Sequence, residues 1–232
     1  MIKPINPLQP DFFLSAFVQE LDAVPLPEET IWKIIDMLVG NPFQPMVEMD
    51  MGRKNNWNWV NIQQIRKYIV NRQDISITLR NTKSPAAGFT FSQNKNYTTV
   101  GANLTPEHIQ EKSYHILFNF LRQIADLMPN FTLSNASADS FEISDFYYQN
   151  QIPYLPDCFN GVLSWFHLLP PKSYRKYFTK QTLLSCPAFQ VYEYPGELIG
   201  IQSYRNPFDF PTQEVAEKIA EISIYLNSKR IA

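Results

Sequence analysis

Glycine and cysteine are scarce in this chain of 232 residues, which contains 7 Gly and 2 Cys. Few glycines leave few left-handed turns and few loops whose backbone can approach a phosphate group closely. Two cysteines exclude a disulfide-stapled fold, and we expect Cys158 and Cys186 to be reduced thiols. A long apolar run and a secretory signal pattern are also missing. The sequence therefore predicts a cytoplasmic protein that has no membrane association.

Recognisable catalytic motifs are missing as well. The sequence has no phosphate-binding loop, no dinucleotide-binding fingerprint, no serine-hydrolase elbow and no zinc-protease motif. Of the 3 histidines, His108 and His115 lie two helical turns apart, whereas metal ligands on one helix usually lie one turn apart. His167 stands in an apolar stretch and is expected to be a hydrogen-bonded core residue. We therefore predict no catalytic residue, no metal and no cofactor, and a protein that is not an enzyme.

Charge is distributed in blocks along the chain, although the net charge is only −2. Residues 1–52 carry an excess of acids, residues 53–128 an excess of bases, and residues 129–171 contain acids but neither Lys nor Arg. A nucleic-acid-binding protein usually has a clearly basic balance, so direct nucleic-acid binding is not predicted. The acidic blocks could steer a basic protein partner. Alternatively, they are balanced by basic blocks once the chain has folded.

Hydrophobic residues make up 44% of the chain and aromatic residues 14%, enough to build a core without metal or disulfide. In the N-terminal part, Asp11 can cap a helix whose Phe13, Phe17 and Leu21 share one face. Gly40 suits the end of a second helix that begins near Glu28. The predicted N-terminal helices are residues 11–22, 28–39 and 60–71.

Strand patterns dominate the rest of the chain, interrupted by two long amphipathic helices. The first helix is predicted to begin at the N-cap Thr105 and to end before Pro129. The second is predicted over residues 212–228. Strands are predicted at 75–79, 88–91, 97–104, 131–134, 141–148, 162–169, 188–194 and 197–204.

These elements predict an α+β fold with a mostly antiparallel sheet, or sheets, packed by long helices. We expect one domain over residues 1–232. Its N-terminal helical part covers residues 11–71. Two sheet–helix halves of similar layout follow, at residues 75–128 and 130–230.

Residues 139–157 combine carboxylates with aromatic rings, a mixture typical of protein-binding surfaces because rings anchor a partner and acids select it. The block lacks the glycine and the fixed spacing of a calcium-binding loop. Alternatively, it is a strand whose rings face inward and whose acids face water. The candidate partner-binding residues are Asp139, Glu142, Asp145, Tyr147, Tyr148 and Asp157.

The C-terminal third contains a series of motifs that resembles a known family. The motifs are Gly161-x-x-x-Trp165, Leu168-x-Pro170-x-x-x-Tyr174, Leu183-Leu184-x-x-Pro187-Ala188, Asn206-Pro207-Phe208-Asp209-Phe210 and Tyr225-Leu226-Asn227. This pattern resembles the immunity protein 52 family of bacterial polymorphic toxin and type VI secretion systems. The likeness covers roughly residues 85–230.

The resemblance implies an α+β immunity protein without catalysis, which binds a cognate protein toxin in the cytoplasm and neutralises it. Members of that family are usually paired with nuclease toxins of restriction-endonuclease-like fold. An acidic surface could occupy the basic groove with which such a nuclease holds phosphates. The second interpretation is an enzyme or small-ligand-binding protein whose site cannot be recognised in the sequence, because such sites converge in space.

Overall fold

The computed structural model describes residues 14–21, 25–43, 48–50, 56–58, 67, 69, 74–80, 88–106, 110–128, 130–137, 140–210 and 212–231. The chain divides into two compact units, one formed by Ala16–Phe131 and the other by Thr132–Ala232 together with Met1–Ser15. Both units are α+β, and the strand pairs with a defined register are antiparallel. The predicted α+β, mostly antiparallel fold is therefore confirmed. The similar layout of the two sheet–helix halves stays a prediction.

Within its described residues, the unit Ala16–Phe131 contains a sheet and two helices whose bounds are defined. Its strands are β1 (Leu14–Leu21), β2 (Glu48–Asp50), β3 (Asn56–Asn58), β4 (Ile75–Arg80), β5 (Gly88–Gln93) and β6 (Tyr97–Leu104). They lie side by side in the order β3-β2-β4-β5-β6-β1. Its helices are α1 (Glu28–Val39) and α2 (Tyr114–Leu127).

The hairpin formed by β5 and β6 follows the prediction. Asn94 makes the turn, since its side-chain oxygen accepts hydrogen bonds from the backbone N–H groups of Asn96 and Tyr97 at 2.8 and 3.0 Å. Alternate residues of β5 point inward, and the ring of Phe89 meets Phe120 of α2 edge-on, 5.8 Å between centroids. Helix α1 also ends at Gly40 as predicted.

Two predictions in this unit are wrong. Residues 14–21 form strand β1 instead of the helix predicted over 11–22, because the alternation Leu14, Ala16, Val18 buries one side of a strand. Helix α2 begins nine residues after the predicted N-cap Thr105, behind a 3-10 turn at Glu111–Ser113. Hydrogen bonds between Gln110 and Ser113 start this turn. Of the helix predicted over 60–71, residues 67 and 69 are helical and the rest lie outside the described residues.

The unit Thr132–Ala232 also contains a sheet flanked by helices. Its strands are β7 (Leu133–Ser137), β8 (Phe166–Leu169), β9 (Gln190–Tyr194) and β10 (Leu198–Gln202), in the order β7-β8-β10-β9. Its helices are α3 (Ser140–Gln149), α4 (Pro171–Tyr174), α5 (Lys180–Leu184) and α6 (Gln213–Ser228). Short 3-10 turns lie at Asp157–Phe159, Pro195–Glu197 and Pro207–Asp209.

The predicted hairpin around Pro195-Gly196 and the predicted last helix are both confirmed. In the β9–β10 turn, Gly196 and Glu197 adopt the left-handed φ angles of 74° and 58°. The Glu197 side chain is held by the guanidinium of Arg175, and its carbonyl accepts a hydrogen bond from the Tyr174 hydroxyl at 3.2 Å. Helix α6 begins where Thr212 caps it, with Oγ1 accepting from the N–H of Val215 at 3.4 Å.

The strand predicted over 141–148 is wrong, because α3 occupies this stretch. Residues 146 and 147 are buried, whereas residues 144, 145, 148 and 149 are exposed. This is the burial period of a helix rather than that of a strand.

The core of the unit Thr132–Ala232 is rich in aromatic rings. Trp165 is fully buried and its indole N–H donates a hydrogen bond to the carbonyl of Tyr204 at 2.9 Å. Phe159, Phe166 and Phe178 are fully buried as well. Much of the aromatic content therefore serves packing. Within the described residues, no helix is both long and apolar enough to cross a bilayer.

Candidate functional site

Helix α3 presents one polar and aromatic face to solvent. Asp145 and Tyr148 lie three residues apart on this face, and the Tyr148 side chain is 80% exposed. The opposite face packs inward, where the ring of Phe146 meets Phe210 edge-on at 5.9 Å between centroids. An exposed tyrosine beside a carboxylate is typical of surfaces that bind other proteins.

The chain that follows α3 adds a second exposed tyrosine. A turn closed by the Ile152 N–H, which donates to the carbonyl of Tyr147 at 3.0 Å, leads into this stretch. Tyr154 stacks on the Tyr147 ring at 5.8 Å between centroids, yet remains 53% exposed. The Asn227 side chain of α6 donates to the carbonyl of Pro153 at 3.3 Å and fixes the segment. Tyr154 is therefore presented from a held backbone, which reduces the entropy lost on binding.

Asp157 is exposed three residues after Tyr154 and is linked through Tyr177 to Arg230. Its carboxylate accepts a hydrogen bond from the Tyr177 hydroxyl at 3.2 Å, and the guanidinium of Arg230 lies 5.2 Å from the Tyr177 ring centroid. Burial raises the pKa of the Tyr177 hydroxyl, and its hydrogen bond to Asp157 raises it further. We call the four residues Asp145, Tyr148, Tyr154 and Asp157 the aromatic–acidic surface.

Of the remaining residues predicted for partner binding, the structure describes the side chain of Tyr147 alone. Tyr147 is fully buried, so its side chain belongs to the core rather than to the surface. Its hydroxyl accepts the N–H of Leu163 at 2.9 Å and shares a 2.6 Å hydrogen bond with Ser223. Burial raises the pKa of this hydroxyl above its usual range. Asp139 and the side chain of Glu142 lie outside the described residues.

A groove of about 910 Å³ opens beside the first half of α6. The loop after β10 forms one wall, the exposed face of α6 forms the other, and Phe189 stands at the rim with 49% of its side chain exposed. The groove is lined by Phe189, Ser203, Tyr204, Arg205, Asp209, Thr212, Glu214, Val215, Glu217, Lys218 and Glu221. We call this feature the α6 groove.

The sequence analysis did not predict the α6 groove, although two features of its lining can be seen in short stretches of the sequence. Acids at positions 214, 217 and 221 have the i, i+3, i+7 spacing of one helical face. Asn206 and Asp209 stand just before the helix, and their side chains hydrogen bond to each other at 3.0 Å. The concave shape itself depends on how the loop folds back against α6, which spacing does not predict.

The buried histidine and the two buried thiols of the unit Thr132–Ala232 are in poorly reactive forms. Burial lowers the pKa of His167 to about 3, and its Nε2 accepts the N–H of Ser164 at 2.7 Å. The prediction of a hydrogen-bonded core histidine is confirmed. Cys158 and Cys186 are buried free thiols whose pKa values burial raises to about 12. His115 is exposed on α2, and His108 lies outside the described residues.

We expect neither thiol to react quickly with a disulfide reagent while the chain is folded. A buried thiol with a raised pKa has almost no reactive thiolate at pH 8. In a spectrophotometric assay, the native protein should release less than about a tenth of the two-thiol signal in the first minutes, whereas the chain in denaturant should release all of it. Rapid release from the native protein would contradict the burial of Cys158 and Cys186.

Comparison of the chain with protein-family models and with curated proteins finds no match. Within the described residues, no three His, Cys, Asp or Glu side chains converge to hold a metal ion. The aromatic–acidic surface and the α6 groove are the two candidate binding sites among the described residues.

Proposed function

We propose that this chain is an immunity protein that neutralises a cognate bacterial toxin in the cytoplasm by binding it directly. The observation that carries the proposal is the aromatic–acidic surface, which contains two exposed tyrosines and two exposed carboxylates within 13 residues of sequence. Rings on a rigid support give affinity at low entropic cost, and carboxylates set the partner's charge. The motifs that resemble the immunity protein 52 family support the same function.

Charge points to a basic toxin surface. The aromatic–acidic surface lies within residues 129–171, which contain Asp and Glu but no Lys or Arg. Every charged side chain of this stretch is therefore an acid. A nuclease must present cations to the phosphates of its substrate, and a carboxylate-bearing protein can occupy that site in place of nucleic acid. The resemblance to the immunity protein 52 family implies a nuclease of restriction-endonuclease-like fold, and this is the toxin class that we propose.

The alternative, an enzyme or small-ligand-binding protein, has the α6 groove as its natural site. The groove is large enough for a small molecule. Its described lining contains carboxylates but neither His nor Cys. His167 and both thiols are buried in forms unsuited to catalysis, although Cys186 is close enough to feel the charges of Lys218 and Glu221. The chemistry of the described residues therefore supports binding better than turnover.

Growth rescue and complex formation test the proposal together. The candidate toxin is the product of the neighbouring gene, and we expect co-expression to restore growth and the two chains to co-purify. Changing Tyr148→Ala should weaken the complex about tenfold or more, because exposed tyrosines are frequent hot spots. Changing Asp145→Lys should slow association several-fold, and the effect should shrink as salt rises.

The control is Asp36→Lys, which makes the same charge reversal at an exposed position of α1. It should leave affinity and association rate close to those of the wild type. Rescue of growth without a detectable complex would point instead to an enzymatic antidote. If neither Tyr148→Ala nor Asp145→Lys changed the affinity or the association rate, the aromatic–acidic surface would not be the contact with the toxin.

A further inference from the structure

The walls of the α6 groove are held in place by hydrogen bonds, so the groove exists before any partner arrives. Asn206 caps the turn at Pro207–Asp209 by accepting the N–H of Phe208 at 3.2 Å, and its amide donates to Asp209 at 3.0 Å. The Thr212 N–H then donates to the carbonyl of Asp209 at 2.8 Å, directly before α6 begins. A preformed concave site loses little conformational entropy when it is filled.

The charges that line the groove are unequal. Four carboxylates face two cations, and the ammonium of Lys218 is already bound to Glu221 at 2.8 Å. Glu217 accepts a hydrogen bond from Gln213 at 2.7 Å. Burial raises the pKa of Asp209, and the like charge of Glu214 raises it further, whereas the hydrogen bond from Asn206 and the cation of Arg205 lower it. Asp209 and Glu214 are therefore close enough to repel each other. A positive group entering there would relieve this repulsion.

The rim adds an aromatic face to the negative charge. Nearly half of the Phe189 side chain is exposed, and its backbone is fixed because its N–H donates to the carbonyl of Ser203 at 3.2 Å. Val215 is buried and adds an apolar side chain to the lining. Carboxylates beside an open ring suit a guanidinium, which is planar, binds carboxylates through paired N–H groups and stacks on aromatic rings.

We propose that the α6 groove binds an arginine-bearing segment of the partner toxin, with the guanidinium between Asp209, Glu214 and the Phe189 ring. This inference rests on the proposed function and adds a second contact to it. The cavity of about 910 Å³ has room for an arginine together with the main chain on either side of it. The toxin would therefore be gripped at the groove as well as at the aromatic–acidic surface.

A synthetic peptide tests the groove without the toxin. The probe is an acetylated, amidated peptide that alternates arginine with glycine, and its neutral match replaces each arginine by citrulline. In amide NMR titrations at low salt, we expect the arginine peptide to shift resonances of residues 203–221, and the citrulline peptide to shift none. Asp209→Asn with Glu214→Gln, or Phe189→Ala, should each weaken peptide binding roughly fivefold or more.

The matched control removes two charges from another helix, as Glu28→Gln with Asp36→Asn on α1. It should leave peptide binding unchanged. Shifts spread over exposed acids throughout the chain, or equal weakening by the control, would overturn the proposal. Spermidine binding as tightly as the peptide and insensitive to Phe189→Ala would also overturn it, because the groove would then be a simple cation site.

The toxin complex supplies the last measurement. Asp209→Asn with Glu214→Gln should weaken the complex several-fold while Tyr148 and Asp145 remain wild type. An unchanged affinity would overturn the assignment of the segment to the toxin, although the immunity function would stand. Failure of the wild-type chain to bind the toxin at all would instead remove the proposed function, and the peptide titration would still decide whether the groove binds arginine.

Discussion

Replacing Tyr147 by phenylalanine is expected to lower the free energy of unfolding by about 1–3 kcal/mol, although only one oxygen atom is removed. The Tyr147 hydroxyl accepts the N–H of Leu163 at 2.9 Å and shares a 2.6 Å hydrogen bond with Ser223, all within a fully buried environment. Without this hydroxyl, the buried N–H of Leu163 and the buried hydroxyl of Ser223 lose their partner and cannot hydrogen bond to water instead. Tyr147→Ala also removes the ring and should cost on the order of 4 kcal/mol.

The adjacent residue is the control. Tyr148 is 80% exposed, so Tyr148→Ala should change the free energy of unfolding by less than about 0.5 kcal/mol. Urea unfolding followed by fluorescence and circular dichroism measures all three variants. A double-mutant cycle of Tyr147→Phe with Ser223→Ala should show a coupling near 1 kcal/mol. Equal stability of Tyr147→Phe and the wild type would contradict the buried hydrogen-bond network.

Stability should fall steeply in mild acid because of His167. Burial lowers its pKa to about 3 in the folded state, against 6.5 for an unhindered imidazole. Below pH 6.5 the imidazole of His167 binds a proton in the unfolded chain but stays neutral in the folded chain. The free energy of unfolding therefore decreases by about 1.4 kcal/mol per pH unit. Above pH 6.5 both states are neutral and the effect vanishes. Between pH 7.5 and 4.5, this group alone should remove about 2.5 kcal/mol.

The change His167→Gln separates this effect from that of the carboxylates. A glutamine oxygen can accept the Ser164 N–H in place of Nε2, which makes a 2.7 Å hydrogen bond in the native chain, and glutamine does not titrate. The pH dependence of the variant should be shallower by about 2.5 kcal/mol over the same range. Nitrogen NMR of the native imidazole gives an independent test, because it should remain neutral at pH 4.5. A protonated His167 in the folded chain at that pH would refute the argument.

Features that depend on local chemistry were predictable from the sequence. Asn94 was assigned to the turn between β5 and β6, and Pro195-Gly196 to the turn between β9 and β10, because few other residues suit those backbones. The helix predicted over residues 212–228 matches α6, and the Thr212 side chain caps its start. His167 was predicted to lie in the core because its neighbours are apolar.

Features in which two patterns competed needed the tertiary structure. Residues 13–21 carry both a four-residue spacing of large apolar side chains, at Phe13, Phe17 and Leu21, and a two-residue alternation of buried positions. Sheet pairing selected the alternation. The opposite happened at 140–149, where alternating acids and rings suggested a strand and α3 formed. Short segments have only a weak intrinsic preference for helix or strand, so tertiary packing decides which of the two forms.

The candidate site shows the same division. Composition alone determined that the region around residues 139–157 is acidic and aromatic, and that its acids have no basic neighbour in sequence. Which rings face solvent depended on the helical period of α3, which buries Tyr147 and exposes Tyr148. The α6 groove depended on a loop that folds back beside a helix, and on the ring of Phe189, which directly precedes β9. Sequence spacing determines which residues share one element, whereas only tertiary packing brings residues from separate elements to one surface.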